Sequence, residues 1–263
     1  CIIKRKDEFM IIVSGANGFV GRYLIKALVD CGKKVIAIGK SSVSDNFFDS
    51  LGVRYVRLDC SIDSEFKILP TQNIEAFVHL AALIPSRVIT ERNEKYFEIN
   101  TIGTKNAINF CLTNNIKKFI YSTTLYEVIS HNSLLINEKM GRSYPLTGDH
   151  SLYVLSKIAA SEIVQHYTEE YGMQGIVLRF TGLLGYGRQE GYWRNGVFFP
   201  SAFEVFYNNC IKGSAIEVWG KHKSVKDSLY VKDAVSAILK SLASPTALGV
   251  YGIGSGIGRT NLD

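Results

Sequence analysis

Short apolar runs alternate with longer amphipathic stretches along the first two thirds of the chain. The apolar runs are rich in β-branched residues and predict strands at residues 10–14, 34–39, 54–58, 76–80, 118–122 and 175–179. Helical periodicity predicts helices over residues 21–31, 91–114 and 151–171. Because the strands are nearly continuously apolar and helices separate them, the pattern predicts a parallel sheet covered on both faces.

The pattern changes after residue 179. Residues 182–196 are rich in glycine and aromatic residues, which predicts a loop over a site. The elements predicted after this loop are a helix at 200–211, a short strand at 215–219 and a helix at 231–242. We therefore expect a first domain over residues 10–180, to which residues 225–245 return, and a small C-terminal lobe over residues 181–263 that mainly faces a substrate.

Both ends of the chain depart from this pattern. We interpret residues 1–9 as an extension, because Met10 would be a natural start immediately before the first strand. A helical pattern begins at residues 260–263, so we expect further residues after Asp263.

Composition narrows the class of protein. The chain has 263 residues, of which 46% are hydrophobic, as in an ordinary globular protein. The net charge is +6, but the basic residues are scattered, which favours small anionic ligands over a nucleic-acid partner. Neither the five cysteines nor the five histidines have metal-ligand spacing, so we predict no metal site. No apolar run is long enough to span a bilayer and no signal peptide is visible, so we expect no membrane contact and a cytoplasmic protein.

Glycines mark the turn between the first strand and the first helix. The segment reads Gly15-Ala16-Asn17-Gly18-Phe19-Val20-Gly21. Gly15 allows a tight turn, Gly18 allows close approach to a pyrophosphate, and Gly21 allows close packing of helix and strand. The helix N-terminus adds free N–H groups and a partial positive charge. The segment predicts dinucleotide binding, and with the strand pattern it predicts an α/β, doubly wound parallel sheet of the Rossmann type.

Tyr153 and Lys157 lie four residues apart at the start of a predicted helix and therefore share one face. A phenol has an unperturbed pKa of about 10 and is a poor base at neutral pH. A fixed ammonium and a positively charged nicotinamide would favour the phenolate and lower its pKa into a useful range. This spacing therefore predicts an acid/base tyrosine.

Hydroxyl side chains end the fifth predicted strand, at Ser122, Thr123 and Thr124. Ligands of doubly wound sheets lie at the carboxyl ends of strands. A hydroxyl there can bond a substrate oxygen while Tyr153 exchanges its proton. Taken alone, such a run is more often a strand end and helix cap.

These features together resemble the extended short-chain dehydrogenase/reductases, in particular the nucleotide-sugar epimerase/dehydratase branch. The resemblance extends from Met10 onward. Besides the glycine segment and Tyr153/Lys157, it rests on Asp59, His79-Leu80-Ala81-Ala82, Asn100, the strand-five hydroxyls, residues 226–233 and the closing stretch 249–256.

The resemblance implies roles for residues at these positions. The cofactor would contact Gly15, Asn17, Gly18, Phe19, Val20, Gly21, Lys40, Ser41, Asp59, Cys60, Leu80, Ala81, Ala82, Asn100, Ser122, Tyr153 and Lys157. Asp59 and Cys60 would lie at the adenine, and Lys157 would hold the nicotinamide ribose. The catalytic residues would be Thr124, Tyr153 and Lys157, and the substrate would contact Ser86, Thr124 and Lys226, the last at its diphosphate.

One departure from the family bears on the choice of cofactor. Strand two ends Gly39-Lys40-Ser41-Ser42 and lacks the acidic residue that bonds the ribose 2′-hydroxyl in NAD users. Lys40 and the serines could receive a 2′-phosphate instead. The cofactor is thus NAD or NADP, with NADP slightly favoured.

Other departures bear on the reaction. Dehydratases of the family carry an Asp-Glu pair beside the active hydroxyl, whereas this chain reads Thr124-Leu125, which argues against 4,6-dehydration. The usual Tyr-Gly after the hydroxyls is Tyr126-Glu127 and lies closer than expected, so Thr123 and Ser122 remain alternatives to Thr124. Gly182 stands where many epimerases have a substrate-binding asparagine.

The resemblance implies an NAD(P)-dependent enzyme that transfers hydride at a carbon of a nucleotide-linked sugar. It would be either an epimerase or a 4-keto-sugar reductase, with Tyr153 as acid/base. The alternative is a non-catalytic NAD(P)-binding module that senses redox state or acts as a scaffold, against which the Tyr153/Lys157 pair counts. Homodimers formed through a helix pair are common in the family, so a homodimer is also implied.

Overall fold

Parallel strands form the central sheet of the protein. The computed structural model describes residues 9–85, 94–131, 133, 135–148, 150–187, 191–194, 197–218 and 225–260. Numbered along the chain, the strands of this sheet are β1 (Met10–Ser14), β2 (Lys34–Gly39), β3 (Arg54–Arg57), β4 (Ile74–His79), β5 (Lys118–Thr124), β6 (Gln174–Phe180) and β11 (Gly249–Ile253). They lie in the order β11-β6-β5-β4-β1-β2-β3, and every neighbouring pair is parallel.

Helices cover both faces of the sheet. The α-helices of the described ranges are, in chain order, α1 (Phe19–Asp30), α2 (Phe47–Ser50), α3 (Glu94–Tyr96), α4 (Gly103–Thr113), α5 (Ser151–Tyr171), α6 (Ala202–Ile211) and α7 (Val231–Ala243). Helices α1 and α7 pack together on one face, and α4 and α5 pack on the other. A π-helical segment, Phe97–Ile102, joins α3 to α4.

Two hydrophobic layers lie on the two sides of the sheet. Along β1, Ile11 and Val13 point into the layer with α1 and α7, whereas Ile12 points into the layer with α4 and α5. Along β5, Ile120 joins the first layer and Tyr121 the second. Successive side chains of a strand point to opposite faces of the sheet. Because helices cover both faces, both sets of side chains are buried. This explains the nearly continuous apolar runs and confirms the predicted doubly wound parallel sheet.

The C-terminal third adds small sheets beside this core. Its further strands are β7 (Gly182–Leu184), β8 (Gly191–Arg194), β9 (Val197–Pro200), β10 (Lys226–Tyr230) and β12 (Gly258–Arg259). Strand β10 pairs with β7 and β12, and β8 pairs with β9 as a hairpin. The division near residue 180 into domain and substrate lobe stays a prediction; within the fold, β11 lies at the edge of the central sheet beside β6.

Two predicted features are wrong. Residues 182–196 are more than a loop, because they contain β7 and β8, whose partners lie elsewhere in the chain. The strand predicted at 215–219 does not form over residues 215–218, which are mostly exposed and pair with no other strand in the described ranges. A β-branched run needs a partner strand to become part of a sheet, and local composition does not supply one.

Two glycines let the backbone of the first loop approach its neighbours closely. Gly15 has φ +66°, and a Cβ there would lie 2.7 Å from Ala81 N and from Leu80 C. A Cβ on Gly21 would lie 2.3 Å from Gly15 O and 2.6 Å from Ala16 O. These are backbone atoms held by β1 and β4, so neither can move aside cheaply. The loop therefore fits only with glycine at both positions.

We expect Gly21→Ala to lower the free energy of unfolding by about 2 kcal/mol, because the added methyl overlaps Gly15 O. Gly141→Ala is the matched control: Gly141 has no left-handed φ and a Cβ there would meet nothing within 4 Å. Chemical denaturation of both variants measures the difference. Equal stability of the two variants would show that α1 does not approach the loop this closely.

Candidate active site

The candidate site lies along the carboxyl ends of the parallel strands. Strand β1 leads into α1 on one face, whereas β4, its neighbour, leads toward α4 on the other. This reversal opens a crevice, which is the usual ligand site of doubly wound sheets. The glycine loop after β1 and residues 80–82 after β4 border it.

The glycine loop has the shape that a dinucleotide pyrophosphate requires. Gly18 is the N-cap of α1 and has no side chain to cap the helix. Its own N–H donates to Gly15 O (2.9 Å), and its carbonyl accepts from Arg22 N (3.0 Å). Arg22 also binds the Asn17 side chain, with Arg22 Nε 3.0 Å from Asn17 Oδ1. A loop closed on itself, ending at a helix N-terminus without a side-chain cap, fits an anionic phosphate.

The ends of β2 and β3 are joined by an ion pair. Lys40 Nζ lies 2.8 Å from Asp59 Oδ2, with the lysine side chain 65% exposed. Asp59 Oδ1 accepts from Ser61 N (3.0 Å) and Ser61 Oγ (2.8 Å). Burial raises the pKa of Asp59, but the bonds from Lys40 and Ser61 outweigh it and the net pKa is lowered. The residues predicted for the adenosine half, Lys40 and Asp59, thus lie together.

Neighbouring residues complete this end of the crevice. Tyr55 Oη donates to Ser41 O (2.7 Å), and Arg57 Nε donates to Lys40 O (3.2 Å). Cys60 is buried, and its burial raises the pKa of the thiol to about 12. Cys60 therefore contributes a neutral side chain.

His79 ties β4 to β1. Ser14 Oγ lies 2.7 Å from His79 Nδ1 and accepts from Ala81 N (3.3 Å). Burial, together with the nearby Lys157 charge, lowers the pKa of His79 to about 3. The ring is therefore neutral, and His79 is part of the buried core.

Asn100 connects three parts of the site from the π-helical segment. Its Oδ1 accepts from Leu83 N (2.7 Å), and its Nδ2 donates to Leu83 O (3.1 Å) and Ser156 Oγ (3.0 Å). The side chain is completely buried. Asn100 thus fixes the segment after β4 against α5, and π-helical turns of this kind recur at functional sites.

Tyr153 and Lys157 lie on the inner face of α5. Lys157 is buried, with Nζ 4.2 Å from the centre of the Tyr121 ring. Burial lowers the pKa of Lys157 to about 7, although the Glu127 carboxylate opposes this. The half-buried Tyr153 packs edge-on against Tyr96. Burial raises the pKa of Tyr153, and Glu127, Tyr96 and Tyr126 raise it further.

In the protein itself the pKa of Tyr153 is raised, so the lowering expected from Lys157 together with a positively charged nicotinamide stays a prediction. Both ions of the pair are costly in the protein, because burial removes them from water. A further positive charge beside Tyr153 is needed to favour its phenolate.

The hydroxyls at the end of β5 point to different sides of the sheet. Thr123 follows Tyr121 on the side of α5 and is buried. Its Oγ1 donates to Glu127 Oε1. Ser122 and Thr124 follow Ile120 toward the other layer, and Thr124 Oγ1 accepts from Tyr126 N (3.2 Å) as the cap of a short helical turn, Leu125–Val128. Thr123 thus lies on the side of β5 that faces α5, and the choice among Ser122, Thr123 and Thr124 stays a prediction.

Glu127 is a site residue that the sequence did not identify. It is completely buried and its Oε2 binds two guanidinium groups, Arg142 Nη1 at 2.8 Å and Arg179 Nε at 3.3 Å. Arg142 Nη2 also reaches Glu162 Oε1 (2.5 Å). The one sequence signal was the departure at Tyr126-Glu127 from the family's Tyr-Gly.

The substrate residues predicted from the resemblance are only partly brought to the crevice. Ser86 lies outside the described residues. Lys226 is exposed at the start of β10. Its neighbour Asp227 accepts from Ser255 N (2.9 Å) and Gly256 N (3.0 Å), which holds the stretch after β11 against β10.

The described residues contain no group of three or more His, Cys, Asp or Glu side chains that could hold a metal ion. None of their helices combines the length and the apolar character that crossing a bilayer requires.

The neutral state of His79 makes a prediction about stability. An unfolded histidine gains a proton below about pH 6.5, whereas His79 stays neutral in the fold down to about pH 3. Its contribution to stability is present above pH 6.5 and is lost as the pH falls toward 3. We expect the wild type to lose about 2 kcal/mol from this residue between pH 7 and pH 5, and His79→Phe to remove that loss.

Denaturation at several pH values measures the slope in each variant. Ser14→Ala is the control, because it removes the bond to Nδ1 but leaves the imidazole buried, and it should keep the wild-type slope. A His79→Phe variant with an unchanged slope would contradict the assignment.

Comparison with known proteins agrees with this architecture. The model of the NAD dependent epimerase/dehydratase family matches residues 11–254. A putative UDP-glucose 4-epimerase of Methanocaldococcus jannaschii is 24% identical over 233 residues, covering 89% of this chain and 73% of its own length.

Solved structures show the same fold. The UDP-N-acetylglucosamine 4-epimerase of Bacillus cereus superposes with a TM-score of 0.79 at 24% identity, covering 97% of this chain and 78% of that one. The UDP-glucose 4-epimerase of Thermotoga maritima, solved with UDP-glucose, gives a TM-score of 0.78 at 23% identity, with coverages of 96% and 79%. The predicted fold and family are thereby confirmed. Since its model matches nearly the whole chain, this protein belongs to the NAD dependent epimerase/dehydratase family.

Proposed function

We propose that this protein is an NAD(P)-dependent nucleotide-sugar epimerase in which Tyr153 exchanges the proton of a sugar hydroxyl. The observation that carries the proposal is the packing of Tyr153 and Lys157 on the inner face of α5, beside the carboxyl end of β5. The same crevice has a glycine loop whose shape suits a pyrophosphate. Family membership supports the substrate class.

The chain's own residues would hold the cofactor along the crevice. The glycine loop, residues 15–21, would bind the pyrophosphate, Asp59 and Cys60 the adenine, and residues 80–82 the middle of the molecule. Asn100 would keep the segment after β4 in place, as its two bonds to Leu83 support. Ser122 and Lys157 would lie at the nicotinamide end. When bound, the nicotinamide supplies a hydride acceptor and donor and, when oxidised, a positive charge.

Proton transfer would fall to Tyr153. Its pKa is raised in the protein, so it stays protonated until a positive charge reaches it. Lys157 would then favour the phenolate, which accepts the proton of the sugar hydroxyl as hydride leaves the same carbon. Thr123, which lies on the α5 side of β5, would bond the sugar oxygen, and Thr124 is the alternative.

Two reactions fit this chemistry. An epimerase returns the hydride to the opposite face of the sugar, whereas a 4-keto-sugar reductase ends with the alcohol and exchanges its cofactor. Lys40 and Ser41 favour the reductase, because they suit NADP, whereas the family motifs favour the epimerase. Dehydration is disfavoured by Thr124-Leu125, which replaces the Asp-Glu pair.

Lys226 and Ser86 remain proposed substrate contacts. Residues 181–263 remain the proposed substrate lobe, and a homodimer remains the proposed assembly.

We expect Tyr153→Phe to lower kcat at least ~100-fold with nucleotide-sugar substrates, because the variant keeps the ring and loses the proton. Tyr171→Phe, at the exposed end of the same helix, is the control and should stay within about twofold of wild type. Sugar interconversion is followed by chromatography and NAD(P)H by absorbance. Full turnover in Tyr153→Phe would overturn the acid/base role, and NAD(P)H consumption with a 4-keto sugar would identify the reductase.

Cofactor preference is tested at Lys40. We expect NADP to bind more tightly than NAD, and Lys40→Met to reduce that preference about tenfold, because the exposed ammonium can bind a 2′-phosphate. Lys26→Met is the control, since Lys26 is an exposed lysine paired with Asp30 on α1. Calorimetric titration with both dinucleotides measures the ratio. Tighter binding of NAD by the wild type would show that the 2′-phosphate is not selected.

A further inference from the structure

Glu127 lies beside the proposed acid/base pair but is absent from the predicted machinery. It is completely buried at the end of β5, where it accepts the Thr123 hydroxyl proton and binds Arg142 and Arg179. We propose that Glu127 is a positioning residue of the active site: it turns the Thr123 hydroxyl so that only its oxygen lone pairs face the substrate, and its buried carboxylate favours the ammonium form of Lys157. This inference rests on the proposed function and adds a residue to it.

The direction of the Thr123 hydroxyl follows from donor counting. A carboxylate bound by two guanidinium groups is ionised and can only accept hydrogen bonds. The single proton of Thr123 is therefore committed to Glu127 Oε1. Thr123 Oγ1 can then accept a hydrogen bond but cannot donate one toward the crevice. It is suited to a sugar hydroxyl, which donates, and leaves Tyr153 as the group that donates to a sugar ketone.

The charge of Glu127 acts on the two titrating residues in the same direction. It favours the ammonium of Lys157 and opposes the phenolate of Tyr153. The other groups that face Tyr153 are Tyr96 from α3 and Tyr126 from the turn after β5.

Lys157 faces the Tyr121 ring from β5, and its charge in turn acts on His79 from β4. Arg142 and Arg179 bind Glu127 itself rather than the pair. Glu127 is thus the acidic group that couples to both Tyr153 and Lys157 among the described residues.

Glu127 also has a structural role that an experiment must separate. Its carbonyl accepts from Ser143 N (2.9 Å), and Arg142 joins it to Glu162 at the surface. Weakening of the ion pair with Arg142 would lower stability without touching Thr123 or Lys157. Glu162→Gln removes the outer carboxylate of Arg142 and leaves the inner bonds in place, so it is the matched control.

The first measurement needs no substrate. Lysine labelled with 13C at Cε is titrated by NMR in the chain without added cofactor, and the Lys157 signal is assigned by its loss in Lys157→Gln. The expected wild-type pKa of Lys157 is about 7. We expect Glu127→Gln to lower this pKa and Glu162→Gln to leave it unchanged, because only the first removes a charge beside the ammonium.

The second measurement follows turnover against pH. Removing the Glu127 charge eases ionisation of Tyr153 and deprotonation of Lys157, so both limbs of the kcat profile should move to lower pH in Glu127→Gln. A merely structural role would lower kcat or stability and leave the limbs in place. Glu127→Asp, which keeps the charge, should restore the wild-type limbs in part.

The third measurement tests Thr123. We expect Thr123→Val to lose about tenfold or more in kcat, and the same substitution to add little in the Glu127→Gln background, because the two residues act as one unit. Thr113→Val is the control, because Thr113 is exposed at the end of α4, and it should lose little.

The outcomes separate this inference from the proposed function. A wild-type chain that turns over nucleotide sugars, with an unchanged Lys157 titration in Glu127→Gln, overturns the inference alone. Additive losses in Thr123→Val and Glu127→Gln overturn the hydroxyl-orienting part. A wild type without turnover overturns the proposed function, while the NMR titration still decides whether Glu127 favours the ammonium form of Lys157.

Discussion

The close approach of the β1 loop to the end of β4 is the constraint on which the site depends. Gly15 lies against the backbone of Leu80 and Ala81, at a distance where no side chain fits. Ser14 bonds His79 and Ala81 across the same junction. Because β1 and β4 are the neighbours whose helices go to opposite faces, this junction opens the crevice and fixes its floor.

Asn100 connects this junction to α5, the helix that carries Tyr153 and Lys157. The segment after β4 would otherwise be a free connection, but Asn100 makes two bonds to Leu83 and one to Ser156 on α5. The helix that carries Tyr153 and Lys157 is therefore fixed to the strand that borders the glycine loop. A buried amide with all of these bonds made contributes specificity as well as stability, since any shift of α5 would leave polar groups unpaired.

Much of the fold could be read from local sequence. The bounds of β1, β2 and α5 match the predicted ranges, because each is a periodic run with clear ends. The pairing of β7 with β10 could not be read, since Ser228 meets Gly182 far along the chain. Within the site, the glycine loop and the Tyr153/Lys157 spacing are local patterns and were visible.

Glu127 was not visible as a site residue for the same reason that β7 was missed. Its partners Arg142 and Arg179 lie 15 and 52 residues away, and a lone glutamate after a strand looks like a surface residue. The direction of the pKa shifts could not be predicted either, because the sequence gives the spacing of Tyr153 and Lys157 but not the extent of their burial. The spacing predicted that Tyr153 and Lys157 share one face of α5, whereas their burial determines which ionised forms are stable there.

The burial of Tyr153 and Lys157 also bears on when the proposed acid/base pair can react. In a dry site the phenolate of Tyr153 and the ammonium of Lys157 are both penalised, and Glu127 relieves only the second. The low dielectric that imposes the penalty also strengthens every new charge interaction. A positive charge placed beside Tyr153 would therefore change its ionisation more than the same charge would in water. In the proposed mechanism, a site built in this way would exchange protons only when its cofactor half is filled, which would link cofactor binding to chemistry without a conformational change.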